Sequence, residues 1–260
     1  MISGIFHTGS GVGNQLHRYV ATRVLAADKG YTFGMVAPEN FKAASFMNLD
    51  MGLPVPASWT VADGGRVVPI SSMASWEEKK IVENGVDIRG YDPEFNFVRD
   101  NTIIDGEFQD EKYFEHRLDQ VNEWLKVPYL GMPDDMCVLG FRGGEFRSDP
   151  DLFLTREYWH AAMKQMRKLD RTMKFTAVTD DPEFASTFLP PEVKVMHDVA
   201  TDWRMIRHAK YLIISNSSFY ILPSLLNGRA RKIIAPRYWA RRNTGTWATR
   251  SNFYRRFTYI

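Results

Sequence analysis

MCVLGFRGGEFR (Met136–Arg147) joins a short apolar run to an arginine flanked by glycines. Met136, Cys137, Val138 and Leu139 form a run too short for a helix, which predicts a buried strand. Gly140, Phe141, Arg142, Gly143 and Gly144 then place a guanidinium at the strand's carboxyl end, in a loop whose backbone can approach a ligand closely. In open α/β sheets that edge is where ligands bind. The planar donor fork of Arg matches diphosphate oxygens two at a time. Pairing with a structural carboxylate is the other use of such an Arg, and this stretch alone leaves both open.

Downstream, strands predicted at Lys174–Val178, Val193–Met196, Tyr211–Ile214 and Lys232–Ala235 alternate with helices. The helices are Arg156–Lys168, capped by Thr155; one opened by Asp181 with Pro182 at its first position; one starting after Thr201; and one ending at Asn227-Gly228. Pro223 would bend the last of these. This alternation predicts a parallel, doubly wound sheet. Three strand ends then converge on one edge: Arg142; Thr179, Asp180 and Asp181; and Ser215, Asn216, Ser217, Ser218 and Phe219. Hydroxyls and free N–H groups at a helix N-terminus bind phosphate. Ordinary N-capping is the commoner reason for such serines.

Upstream, Ile2–Phe6 reads as a strand leading into a loop with Gly9, Gly11 and Gly13. A helix follows, with Leu16, Val20, Val24 and Ala27 on one face and Gly30 at its end, then a strand over Tyr31–Val36. The glycine spacing is not that of a dinucleotide fingerprint and no acid ends the second strand, so a dehydrogenase is set aside. Residues 38–100 are punctuated by Pro54, Pro56 and Asp63-Gly64-Gly65, with a short helix predicted over Trp76–Glu83. Thr102–Ile104 reads as a strand; Phe114, Leu118, Val121 and Leu125 share one face of a helix. Pro128, Gly131 and Pro133 mark a linker, which gives domains at 1–130 and 131–245 and a basic, aromatic tail at 246–260.

The chain of 260 residues, 44% hydrophobic and 25% charged, has room for two domains of ordinary size. Its one cysteine, Cys137, excludes an internal disulfide framework. The opening MISGIFHTGS lacks a charged region followed by an apolar run, and no stretch approaches the roughly 18 apolar residues of a membrane span. A cytoplasmic protein is therefore expected. Twelve of the 33 cations, but none of the 31 acids, lie beyond Asp202. Such a basic region suits a polyanion, a diphosphate or an anionic membrane surface, with peripheral attachment as the consequence of the last, or it packs internally against acids. A net charge of +2 is low for a dedicated nucleic-acid protein.

Five segments in order resemble the α-1,2-fucosyltransferases of glycosyltransferase family 11, within the wider GDP-fucose transferase superfamily. GSGVGNQLHRYVATRVLA is similar to the family's GGLGNQMFQYA-type opening, and GEFQDEKYF to its GYFQSEKYF-type segment. GFRGGEF lies where the family has HxRRGD, TDD where it has SDD, and SNSSFYILPSLLN followed by KIIAPRYW resembles NSTFSWWxAWLN and VxAPxxW. Gly140, Gly143 and Glu145 stand where the family has His, Arg and Asp.

The resemblance implies a GT-B architecture, α/β with two Rossmann-like domains facing a cleft. It implies an inverting, metal-independent transfer of fucose from GDP-fucose to a glycan hydroxyl, with no cofactor beyond that donor. Donor binding would fall to Gly11, Gly13 and Asn14 of the glycine loop, to Arg142 on the diphosphate, to Thr179, Asp180 and Asp181 on the nucleoside side, and to Ser215, Asn216, Ser217, Ser218 and Phe219. Arg142 would also stabilise the leaving diphosphate. Related transferases place a carboxylate soon after the Arg motif, which makes Glu145, Asp149 and Asp151 candidate bases, with His7 an outside one. Another nucleotide-sugar donor, or a silent glycan- or nucleotide-binding homologue, is the alternative.

Overall fold

The computed structural model describes residues 1–63, 66–79, 81–83, 86–88, 90–241, 247–249 and 254–260. Gly64 and Gly65 of the Asp63-Gly64-Gly65 turn lie outside these residues, as do Arg242 and Arg250 of the basic region. The fold is mixed α/β with two parallel sheets. The chain divides into two compact units, Met1–Val82 with Asp87–Lys126, and Glu83–Val86 with Val127–Ile260.

In the first unit, β1 (Ile2–Ile5), α1 (Val12–Lys29), β2 (Phe33–Val36), β3 (Ala74–Glu77), β4 (Thr102–Asp105) and α2 (Leu118–Trp124) follow one another. The sheet order is β2-β1-β4-β3, with every neighbouring pair parallel. Helix α1 lies so close over β1 that a Cβ on Gly4 would stand 2.2 Å from Thr22 Oγ1. Its buried surface is wider than a single stripe and takes in Gln15, His17 and Thr22, whereas Ala27 is exposed. Gly30 ends the helix in the left-handed region (φ 68°).

No helix forms over Trp76–Glu83: Trp76 and Glu77 end β3, which is hydrogen-bonded alongside β4, and Ile81–Glu83 is a separate short strand. Trp76 stands edge-on to Phe95 at 5.3 Å and stacks on Phe108 at 6.0 Å, an anchoring that an isolated turn of helix could not match. The helical signal around Leu118 shortens to α2, preceded by 3₁₀ turns at Glu111–Tyr113 and Glu115–Arg117.

The second unit runs β5 (Met136–Phe141), α3 (Arg156–Leu169), β6 (Lys174–Thr179), α4 (Pro182–Phe188), β7 (Lys194–Met196), α5 (Val199–His208), β8 (Tyr211–Ile214), α6 (Ser218–Leu225), β9 (Lys232–Ala235) and β10 (Thr258–Tyr259). The sheet order is β7-β6-β5-β8-β9-β10, all parallel. Successive strands are added outward on one side of β5 and then, from β8, on the other, so the β5/β8 boundary is the topological switch point of a doubly wound sheet. Cys137, Leu139 and Phe141 of β5 pack with Trp159, Met163 and Met166 of α3. The alternate residue Gly140 meets Tyr220 of α6 on the opposite face, so both faces are covered, as an all-parallel sheet requires.

Helix α5 starts at Val199, not after Thr201, because the Asp198 carboxylate caps it by accepting from the Thr201 N–H at 2.7 Å. Thr155 precedes α3 without a side-chain cap. The end of the basic region is structural. Tyr254 and Phe257 are buried, β10 adds to the sheet edge, and Arg256 donates to the Leu225 and Asn227 carbonyls (2.6 and 2.7 Å) at the end of α6. Among the described residues no helix is long and apolar enough to cross a membrane.

The Gly4 contact makes a direct prediction. Gly4→Ala should lower unfolding free energy by about 1–3 kcal/mol in denaturant titrations. Thr22→Ala in the same chain should recover part of that loss, because it removes the atom the new methyl meets.

Candidate functional site

The β5/β8 switch point gathers the predicted strand-end residues of the second unit. Arg142 leaves β5 and pairs through Nη1 with Asp180 Oδ2 (2.8 Å) and through Nη2 with Glu145 Oε1 (2.9 Å). The guanidinium also lies over the Phe146 ring, 5.4 Å from its centroid. Its Nε is buried without a hydrogen-bond partner among the described residues. Asp180 uses its other oxygen to accept from the Gly143 N–H at 2.9 Å, which ties the β5 and β6 loops together.

The absence of side chains at 140, 143 and 144 has local causes. A Cβ on Gly140 would approach the Tyr220 ring to 2.7 Å, and one on Gly143 would approach Asp181 Cβ to 2.6 Å. Gly144 has φ +35° and would drive a Cβ to 2.3 Å from Asp180 Oδ2. An imidazole at 140 or a guanidinium at 143 is therefore incompatible with Tyr220 and Asp181 where they stand. Tyr220 is fully buried, and its hydroxyl bridges the carbonyls of Phe141 (3.0 Å) and Val178 (3.2 Å). Burial holds that hydroxyl well above its usual pKa, so it remains a donor.

The other expected residues divide by what they already hold. Thr179 is buried and its hydroxyl accepts from the Asp181 N–H. Asp181 caps α4 through the Phe184 N–H and pairs with Arg147 (3.2 Å). Asp149 accepts from the Asp151 N–H and so shapes its own turn, while Glu145 is exposed on Arg142. Asn216 donates to the Leu152 carbonyl at 3.1 Å and anchors the loop after β5. Ser217 occupies the N-cap of α6 but its side chain makes no cap bond. The Ser215 hydroxyl is buried without a hydrogen-bond partner among the described residues. Ser218 and Phe219 open α6, with Phe219 edge-on to Trp203 at 5.6 Å. The strand signal of the sequence missed a neighbouring pair: His197 Nδ1 bonds the Thr179 carbonyl (2.5 Å) and stands 3.7 Å from Asp202. Burial pushes the Asp202 carboxyl up to about 7.

The glycine loop belongs to the first unit. Gly11 is the exposed N-cap residue of α1, Gly13 is buried in its first turn, and Asn14 accepts from Gln109 Nε2 at 3.1 Å. At the same sheet edge, His7 Nε2 bonds Asp105 Oδ2 at 2.7 Å. Arg18 donates to the Gly106 carbonyl (2.6 Å) and Ser10 Oγ (2.8 Å) and stands 3.4 Å from Asp105. Burial raises the Asp105 carboxyl, but the His7 hydrogen bond and the Arg18 charge outweigh it and hold the group below its ordinary value. Asp105 and Arg18 were not singled out in the sequence, although one ends a strand and the other is a cation within an apolar helix. Among the described residues no group of three or more His, Cys, Asp or Glu is placed to hold a metal ion. Cys137 is buried and its thiol is pushed up by that burial, which makes it a core residue.

No family model matches this chain, and no curated protein matches it either.

Two outcomes follow from this geometry. Gly140→Ala should destabilise the protein by about 1–3 kcal/mol, with a local change in near-ultraviolet circular dichroism as Tyr220 is displaced. Asp202 binds its proton more tightly folded than unfolded, so its contribution to stability is full below about pH 4 and declines toward pH 7. Asp202→Asn should remove that decline: the variant's melting temperature should gain on the wild type's steadily from pH 4 to pH 7.

Proposed function

We propose that the protein is a nucleotide-sugar glycosyltransferase, transferring fucose from GDP-fucose to a glycan hydroxyl with inversion, in a GT-B arrangement whose donor site is the β5/β8 switch point. The observation that carries this reading is the company Arg142 keeps there: a buried unpaired Ser215 hydroxyl, a Ser217 hydroxyl not used as a cap, and the N-terminus of α6. These are donors for a diphosphate gathered on the edge where doubly wound sheets bind nucleotides. Sequence resemblance supplies the sugar and the GDP.

In this mechanism Asp180 and Glu145 hold the Arg142 fork in place before the donor arrives. The diphosphate takes the face used by Glu145, an exposed and therefore weak ion pair, while Asp180 stays fixed by the Gly143 N–H. As the sugar–phosphate bond breaks, charge accumulates on the leaving diphosphate. Arg142 and the α6 N-terminus stabilise it without reorganising, an effect for which one lost donor typically costs 10²–10³ in rate. A different nucleotide-sugar donor is the second reading, favoured by Tyr220 and Asp181 occupying the space of a second donor-site cation.

Calorimetric titration with GDP, UDP and ADP in the absence of added metal tests the assignment. Selective GDP binding is expected, weakened at least about tenfold by Arg142→Ala, as for loss of a charge-assisted hydrogen bond. Preference for UDP or ADP would replace the donor, and binding of none of the three would overturn the transferase reading.

A further inference from the structure

Residues 127–133 open the longer piece of the second unit, where the chain arrives from Lys126 of the first. They form no helix or strand, and Pro128 and Pro133 have no N–H to give. Among the described residues, two hydrogen bonds hold the backbone of residues 127–132, and helix α5 supplies both. Arg204 Nε donates to the Pro128 carbonyl at 3.1 Å, and the Leu130 N–H donates to His208 Nδ1 at 3.3 Å. Tyr129, between them, stands edge-on to the His208 ring at 5.0 Å and has the Arg229 guanidinium over its own ring at 5.2 Å.

The Leu130 bond requires one protonation state. A ring nitrogen accepts only through its lone pair, so Nδ1 is bare while Leu130 is held and the neutral ring keeps its proton on Nε2. A second proton must go to Nδ1, where it faces the Leu130 N–H, donor against donor. The charge that comes with it is poorly received. Both Arg204 and Arg207 of α5 act on the ring, and Arg256 acts on Arg207 in turn. The Asp134 carboxylate is already shared by Lys210 (2.9 Å) and Arg229 (3.3 Å). Burial first, and then the Arg207 charge, hold the His208 ring below its ordinary value of 6.5. The Arg204 carbonyl, one turn back on α5, favours the charged ring and is the acceptor open to it once Leu130 is released.

We propose that His208 is a proton-operated latch on residues 127–133: the neutral ring holds Leu130 to the end of α5, and protonation in mild acid releases it, leaving the segment's backbone tied at Pro128. The latch acts on a covalent connection into the second unit and is independent of the transferase reading. The ring binds its proton more weakly folded than unfolded, so the latch's contribution is complete above pH 6.5 and is lost as pH falls through the lower folded value.

Nuclear magnetic resonance of the full chain from about pH 8 to about pH 4.5 tests the latch. Ring nitrogen shifts should report the Nε2–H tautomer of His208 at the upper end. There the Leu130 amide should exchange about tenfold more slowly than its intrinsic rate, the protection of one modest hydrogen bond. That protection should disappear with the same midpoint as the ring's titration, while the Gly131 amide stays unprotected throughout. His208→Asn, whose Oδ1 stands in for Nδ1 without titrating, should keep Leu130 protected across the range, and His208→Phe should leave it unprotected at every pH. An Nδ1–H tautomer in the neutral ring, or Leu130 protection that persists through the ring's titration, would overturn the latch. Both readings come from the unaltered chain and need no variant to fold. Protection that still falls with pH in His208→Phe would overturn it as well.

Discussion

The Tyr220 hydroxyl, lodged between two central strands, is the contact on which the second unit's sheet edge depends. It bridges the carbonyls of Phe141 and Val178, the places where β5 and β6 come to an end. Its ring fills the space a side chain at 140 would take, so Gly140 is the counterpart of Tyr220. With those ends held together, Arg142 and Asp180 emerge side by side and their ion pair forms at 2.8 Å. The single hydroxyl proton is shared between the two carbonyls, and a buried polar contact of this kind favours one arrangement of the strand ends.

The acids and bases around Arg142 are closely balanced. Arg142 and Arg147 face Asp180, Asp181 and Glu145, and every one of these five groups has a partner within the cluster. An ion-paired Arg costs less to keep beside a buried edge than a free one, and its planar fork stays oriented. Of the two uses of Arg142 left open by its sequence, pairing with a structural carboxylate is the one the chain displays.

Part of the basic region beyond Asp202 is used inside the second unit. Arg256 spends its guanidinium on two carbonyls at the end of α6, and Lys210 and Arg229 both pair with Asp134. Each of these cations already serves a helix end or an ion pair within the unit. The segregation seen in the sequence is partly an internal pairing of this unit.

Alternation of apolar runs with capped helices was enough to read the second unit as a doubly wound sheet, because period-two and period-3.6 patterns are local properties of the chain. Pro182 after Asp181, and Gly30 after α1, marked helix ends for the same reason. The convergence of Arg142, Asp180 and Ser215 was legible too, since strand ends in a parallel sheet share an edge. Tertiary structure alone decided the strand at Ala74–Glu77, whose charged sequence looked helical until Trp76 had Phe95 and Phe108 to pack on. It alone decided that Gly140 answers Tyr220, and that His7 meets Asp105 across a separation of 98 residues. Contacts of that range depend on which strands become neighbours, and no local pattern in the chain carries that information.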